Sequence, residues 1–218
     1  MPPSFSLTQS TVPVPSRVNN VNEIAQGLNA SPVAAQVNWT RALNFKEMEA
    51  LFLLARDQHI TAADFVCDDE TVIICEGKNG LPVLTRFQKR FARLGDQIVG
   101  YNHNNWLQAL LGGPGHFVVH DSPAVPGEVW INYLTPPKVR HPEYPKLLSN
   151  NVLFHPRGLF ARWVYGGMVD VIRRVSEHVV IGYSIRPDGS PGPNEGMYFT
   201  LVIPEKNAAQ APQLTSQD

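Results

Sequence analysis

Between residues 43 and 55 the apolar positions fall on one side of a helix. Met48, Leu51, Phe52 and Ala55 recur at three- and four-residue intervals. Asn44 and Glu47 have capping-box spacing at its start, and Leu43 with Met48 can form a hydrophobic staple across the cap. The spacing predicts a second helix over 82–94, where Leu84, Phe87, Phe91 and Leu94 share a face. Arg86, Lys89, Arg90 and Arg93 lie mostly opposite, and Gly95 is placed to terminate it. A short third helix is predicted over Trp106–Leu111, closed by Gly112.

After Gly112 the pattern changes to short runs of Val, Ile, Phe, Tyr and Trp separated by Pro, Gly, Asn or Asp. These runs are 116–120, 128–134, 151–155, 158–165, 168–175, 179–186 and 197–203. The last four are spaced as an antiparallel meander, with Gly166-Gly167 and Ser176-Glu177-His178 as tight connections. Helices first and strands after give an α+β reading: N-terminal helices followed by an antiparallel β-barrel or half-barrel. Residues 1–36 read as a flexible arm, 37–204 as one domain and 205–218 as a flexible tail.

Composition narrows the function classes. The chain has 218 residues, of which 43% are apolar, enough for one substantial core. Eighteen Lys and Arg against nineteen Asp and Glu give a net charge of −1, so nucleic-acid binding is not expected. The first residues carry neither an apolar core of signal length nor an early positive charge, and no apolar run is long enough to span a membrane. A cytoplasmic setting follows as the expectation. Cys67 and Cys75 flank Asp68-Asp69-Glu70; they read as two reduced thiols, with a disulfide or a nucleophile as the other readings.

Strand parity sorts the side chains that could carry chemistry. Met197, Phe199, Leu201 and Ile203 share one face, as do Val179, Ile181, Tyr183 and Ile185, and Leu159, Ala161, Trp163 and Tyr165. In 169–175 the apolar face is Val169, Val171 and Val175, with Arg173 as its fourth member. If these faces line one interior, a guanidinium stands there beside Tyr165, Tyr183 and Trp163. A buried charge must meet a carboxylate, carbonyls, water or a ligand anion. Arg173 is therefore either an anchor for a carboxylate or enolate, or a structural arginine. Asp170 and Arg174 have the opposite parity, where surface ion pairs are expected.

His116 and His120 share a strand face, but strand rise separates them by about 13 Å, too far to grip one metal ion without a bulge. His120, next to Asp121, is the better acid–base candidate. The glycines at 112, 113 and 115 lack the Lys and Ser/Thr of a phosphate loop, and neither a dinucleotide-binding nor a serine-hydrolase motif occurs. No cofactor and no metal are called for.

The run from Trp163 through Val175, continuing to Tyr183 and then Met197–Leu201, resembles the C-terminal part of a poorly characterised family. Its members combine a GxWxG segment with a small calycin-like β-domain, related in shape to lipocalin barrels. The match rests on Tyr165, Gly167, Asp170, Arg173 and Val175 over about fifty residues. The chain has no GxWxG; Val129-Trp130-Ile131 stands nearest to one. The resemblance implies a barrel with an apolar interior and implies no reaction.

These readings lead to a barrel that binds a hydrophobic small molecule bearing a carbonyl or carboxylate. It would act as a cofactor-independent isomerase, cyclase or lyase. Arg173, Tyr165, Tyr183 and His120 are the catalytic candidates; Trp163, Phe199, Trp130 and Leu201 are the substrate-binding ones. The alternatives are a non-catalytic carrier of hydrophobic ligands and an interaction protein whose barrel is filled by its own side chains. A second copy of the chain is the other partner considered.

Overall fold

Asn44 and Glu47 do close the predicted cap. The Asn44 side chain accepts from the Glu47 backbone N–H at 3.0 Å, and the Glu47 carboxylate accepts from the Asn44 N–H at 2.7 Å. The helix they start, α3, spans Phe45–Leu54. It is preceded by α1, Val21–Asn29, and α2, Val33–Ala42. The arm expected over 1–36 therefore contains α1 and the start of α2. Helix α1 forms because Val21, Ile24 and Leu28 make a buried stripe, with Asn20 capping its first turn. Burying each such side chain contributes about 1.5–3 kcal/mol. The computed structural model describes residues 12–68, 71–80, 85–103, 115–135, 137–145, 167–186 and 196–205. The predicted helix at 106–111, the strands at 151–155 and 158–165, and the tail from 206 lie outside the described residues.

Eight strands follow the helices: β1 (Ile73–Asn79), β2 (Arg86–Leu94), β3 (Gln97–His103), β4 (His116–Asp121), β5 (Val129–Asn132), β6 (Val169–Arg174), β7 (Val179–Ile185) and β8 (Tyr198–Val202). Each pairs antiparallel with the next, and β8 pairs with β1, so the sheet closes into a barrel without a free edge. The barrel reading holds. The helix predicted over 82–94 does not, because its described part is β2, with Gly95 and Asp96 forming the turn into β3. Phe87, Lys89 and Phe91 alternate inward. The residues between them, Gln88 and Arg90, point outward and remain half-buried.

The two ends of the barrel differ. At the end where β2 meets β3, a 3-10 turn, Ala62–Phe65, plugs the opening with Phe65, whose ring lies 4.8 Å from that of Phe91. Ile73, Val129, Ile172, Val180 and Leu201 fill the space around it. Polar groups hold the plug. Asp121 accepts from the Ala62 N–H at 2.8 Å, and Arg174 reaches both the His59 carbonyl (2.9 Å) and Asp64 (2.8 Å). The opposite end, where β1 leads to β2, β3 to β4, β5 to β6 and β7 to β8, is here called the mouth.

Outside the barrel, α3 packs on β7 and β8 and α2 on β8 and β1, and α1 joins the same outer core. Val171, Val175, Val179, Ile181 and Val202 point outward into a second core with Val21, Ile24, Met48, Leu51 and Phe52. Strands β6 and β7 are thus buried on both faces, and this decides where their polar residues go.

Candidate functional site

Inside the barrel, toward the mouth, the sheet register collects five polar side chains. Lys89 on β2 is opposite Asn102 on β3, and Asp170 on β6 is opposite Ser184 on β7. Tyr133 follows β5 directly. All five are buried. Lys89 Nζ donates to Asn102 Oδ1 at 2.8 Å, to Asp170 Oδ2 at 3.1 Å and to the Tyr133 hydroxyl. Tyr133 also lies 3.2 Å from Asp170 Oδ2, within reach to donate to it, and Ser184 donates to Asp170 Oδ1 at 2.7 Å. Both carboxylate oxygens and all three ammonium protons are therefore engaged, as a buried ion pair requires.

Aromatic rings wall this group. The centroids of Phe87, Phe117, Tyr133 and Phe199 stand 5.5, 5.3, 5.1 and 5.1 Å from Lys89 Nζ. Three of the rings lie flat against glycines. A Cβ at Gly77 would come within 2.6 Å of Phe87, one at Gly100 within 2.4 Å of Phe117 and one at Gly182 within 2.2 Å of Phe199. These glycines face inward, where a Cβ would displace the facing ring, and at Gly100 it would also meet the Arg90 carbonyl oxygen at 2.3 Å. Burial pulls the Lys89 ammonium below the ordinary lysine range, while Asp170 works against that shift. Cys75 faces the same interior, and burial pushes its thiol up.

Arg173 is placed elsewhere. It lies on the outer face of β6, in the seam beneath α3, where its Nε donates to Glu128 at 2.7 Å and its Nη1 to the Phe52 carbonyl at 2.8 Å. Its guanidinium carbon stands 3.9 Å above the Phe52 ring. The expectation that the larger apolar faces of β6, β7 and β8 share one interior is corrected. Val171 pairs across the sheet with Tyr183, and Arg173 with Ile181, all facing outward. Phe199 and Leu201 pair with Gly182 and Val180, facing inward. The helices explain this: once they cover β6 and β7, the more apolar face need not be the inner one. Asp170, expected at the surface, is inside.

The other candidates are scattered. Phe199 and Leu201 are in the interior. Tyr183 packs outside, its ring 5.3 Å from Phe52 and 4.8 Å from Tyr198. Trp130 also faces outward, 6.0 Å from the half-buried His120 ring. His120 Nδ1 lies 2.9 Å from the Asp121 carbonyl oxygen, and the Asp121 carboxylate is committed to Ala62. Trp163 and Tyr165 lie outside the described residues. Both cysteines are free thiols, Cys67 exposed and Cys75 buried, which removes the disulfide reading. Among the described residues no three His, Cys, Asp or Glu side chains converge as metal ligands. No described helix is long and apolar enough to cross a membrane.

Sequence reasoning missed Lys89, Asn102 and Tyr133. A signal was present in Phe87-x-Lys89-x-Phe91, a lysine flanked at alternate positions by phenylalanines. In a strand this points its amine where the two rings point. Helical spacing of the same apolar residues masked it. No family model, curated protein or solved structure matches the chain.

Proposed function

We propose that the barrel binds a hydrophobic small molecule carrying a neutral carbonyl group at its mouth and acts on it by acid–base chemistry without a cofactor. The observation that carries this reading is the Lys89–Tyr133–Asp170 group, an amine, a phenol and a carboxylate in mutual contact inside an aromatic wall. A barrel mouth with apolar walls and a few convergent polar groups is a favoured setting for small-molecule sites. Tyr133 can donate to a carbonyl oxygen, and the amine or carboxylate can accept a proton from the adjacent carbon. The charges of Lys89 and Asp170 compensate one another. A carboxylate ligand would meet an ammonium already paired with the Asp170 charge, so a ketone or aldehyde fits better beside Lys89 than an acid. The meander barrel, closed at one end, also supports the calycin-like reading.

Calorimetric titration of the full chain with 2-octanone and with octanoate tests the proposal. Binding of the ketone in preference to the acid is expected, and Tyr133→Phe should weaken it by about tenfold through loss of one hydrogen bond. A folded protein that binds neither overturns the reading. Exchange of deuterium into the carbons beside the ketone separates the remaining alternatives: catalysed exchange marks an enzyme, and binding without exchange marks a carrier.

A further inference from the structure

We infer that Lys89 is a covalent-catalytic amine, one that condenses with the carbonyl carbon of an apolar aldehyde or ketone to form an imine. This rests on the function proposed above and narrows it from carbonyl binding to imine chemistry.

The surroundings of the Lys89 amine suit that reaction. Its hydrogen-bond partners are a carboxylate oxygen, a phenol and an amide oxygen, and among the described residues no second cation acts on it. Imine formation needs an acceptor for an ammonium proton, an amine free to attack, and an acid that protonates the departing oxygen. Asp170 Oδ2, at 3.1 Å, is placed to take the proton from Lys89. The amine then forms the C–N bond, and the carbonyl oxygen becomes the hydroxyl of a carbinolamine. Tyr133, in contact with both Lys89 and Asp170, can pass the proton to that hydroxyl. The C–O bond breaks, water leaves, and the nitrogen lone pair forms the C=N bond. Ammonium and carbonyl thus give iminium and water, with no oxidant or reductant required.

Charge favours the same outcome. The iminium carries one positive charge close to where the ammonium carried one. The Asp170 carboxylate and the four ring faces built to hold a cation can therefore hold the product equally well. A neutral adduct would leave Asp170 buried without its counter-ion. Phe87 is the one phenylalanine of the wall that is only half-buried. Burial also favours the neutral amine beyond what a surface lysine experiences.

Hexanal and 2-octanone, each with sodium cyanoborohydride, trap the imine as a stable secondary amine on the intact full-length chain. Peptide mass mapping should find the adduct on Lys89 at least tenfold ahead of Lys46, Lys78, Lys138, Lys146 and Lys206. The paired variant Lys89→Met/Asp170→Asn removes both charges together, and circular dichroism checks its fold. In that folded variant the preferential label should disappear. Labelling of the wild type confined to the other lysines overturns the inference. If 2-octanone binds by calorimetry and no Lys89 adduct is trapped, the imine is wrong and the binding proposal stands. If nothing binds and nothing is trapped, both fail.

Discussion

Strand β6 carries two charges of opposite fate, Asp170 buried and Arg173 half-buried. Asp170, near its first residue, points into the barrel and meets Lys89; Arg173, three residues later, points out and meets Glu128. Both pairs are hydrogen-bonded, the inner one more deeply buried, and their partners differ in kind. Arg173 ties three parts of the fold together, donating to Glu128 just before β5 and to the Phe52 carbonyl of α3, with the Phe52 ring beneath its guanidinium. An arginine does not give up its proton, so this cluster can fasten the helices to the barrel and do little else. Lys89 shares its protons with a phenol and a carboxylate, both able to exchange them. The outer pair is a fastening. The inner pair is where the proposed chemistry would sit.

That contrast can be broken in several ways. The largest effect is expected from Asp170→Ala, which leaves a buried ammonium without its counter-ion and should lower unfolding free energy by about 3–5 kcal/mol in denaturant titration. Lys89→Met/Asp170→Asn should recover most of that loss, because neither charge remains. If the paired variant is as unstable as the single one, the inner group is chiefly a fastening as well. Arg173→Met should cost about 2–4 kcal/mol by stranding Glu128, while 2-octanone binding per folded molecule stays at the wild-type level. Loss of ketone binding in folded Arg173→Met would erase the distinction between the two pairs.

A smaller effect sharpens the inner site alone. Gly182→Ala sets a Cβ within 2.2 Å of Phe199, and it should destabilise by about 1–3 kcal/mol while displacing the ring toward Lys89. Ketone affinity measured by calorimetry should fall in this variant, whereas the seam around Phe52 should not respond. The smallest effect concerns the plug. Burial raises the Asp64 carboxyl, but the Thr61 N–H and the Arg174 guanidinium outweigh it and hold the group below its ordinary value of 3.8. A lowered carboxylate contributes stability above pH 3.8 and loses it as pH falls through the folded value. The stability difference between wild type and Asp64→Asn, followed by thermal melting, should therefore shrink below about pH 4.

Much of this was legible in the chain, for local reasons. The cap at Asn44 and Glu47 depends on residues three apart, and strands β4 to β8 announce themselves through β-branched and aromatic runs between turn residues. Strand β2 was not legible in the same way. Its phenylalanines satisfy helical spacing, and Lys89 breaks the apolar alternation that marks a strand. Whether it lies inside depends on Asp170, eighty-one residues away. The faces of β6 and β7 failed for a related reason. Parity correctly separated Arg173 from Asp170, but it could not say which face was inner once α1 and α3 covered the outer one. A pattern that assumes one wet face misleads where both are dry.

The most direct test follows methyl and aromatic side-chain signals by NMR while 2-octanone is added to the isotope-labelled protein. The account predicts saturable shifts at Phe87, Phe117, Tyr133 and Phe199, with Phe52 and Tyr198 in the outer seam unmoved. Shifts at the outer seam, with the four inner rings silent, would contradict it.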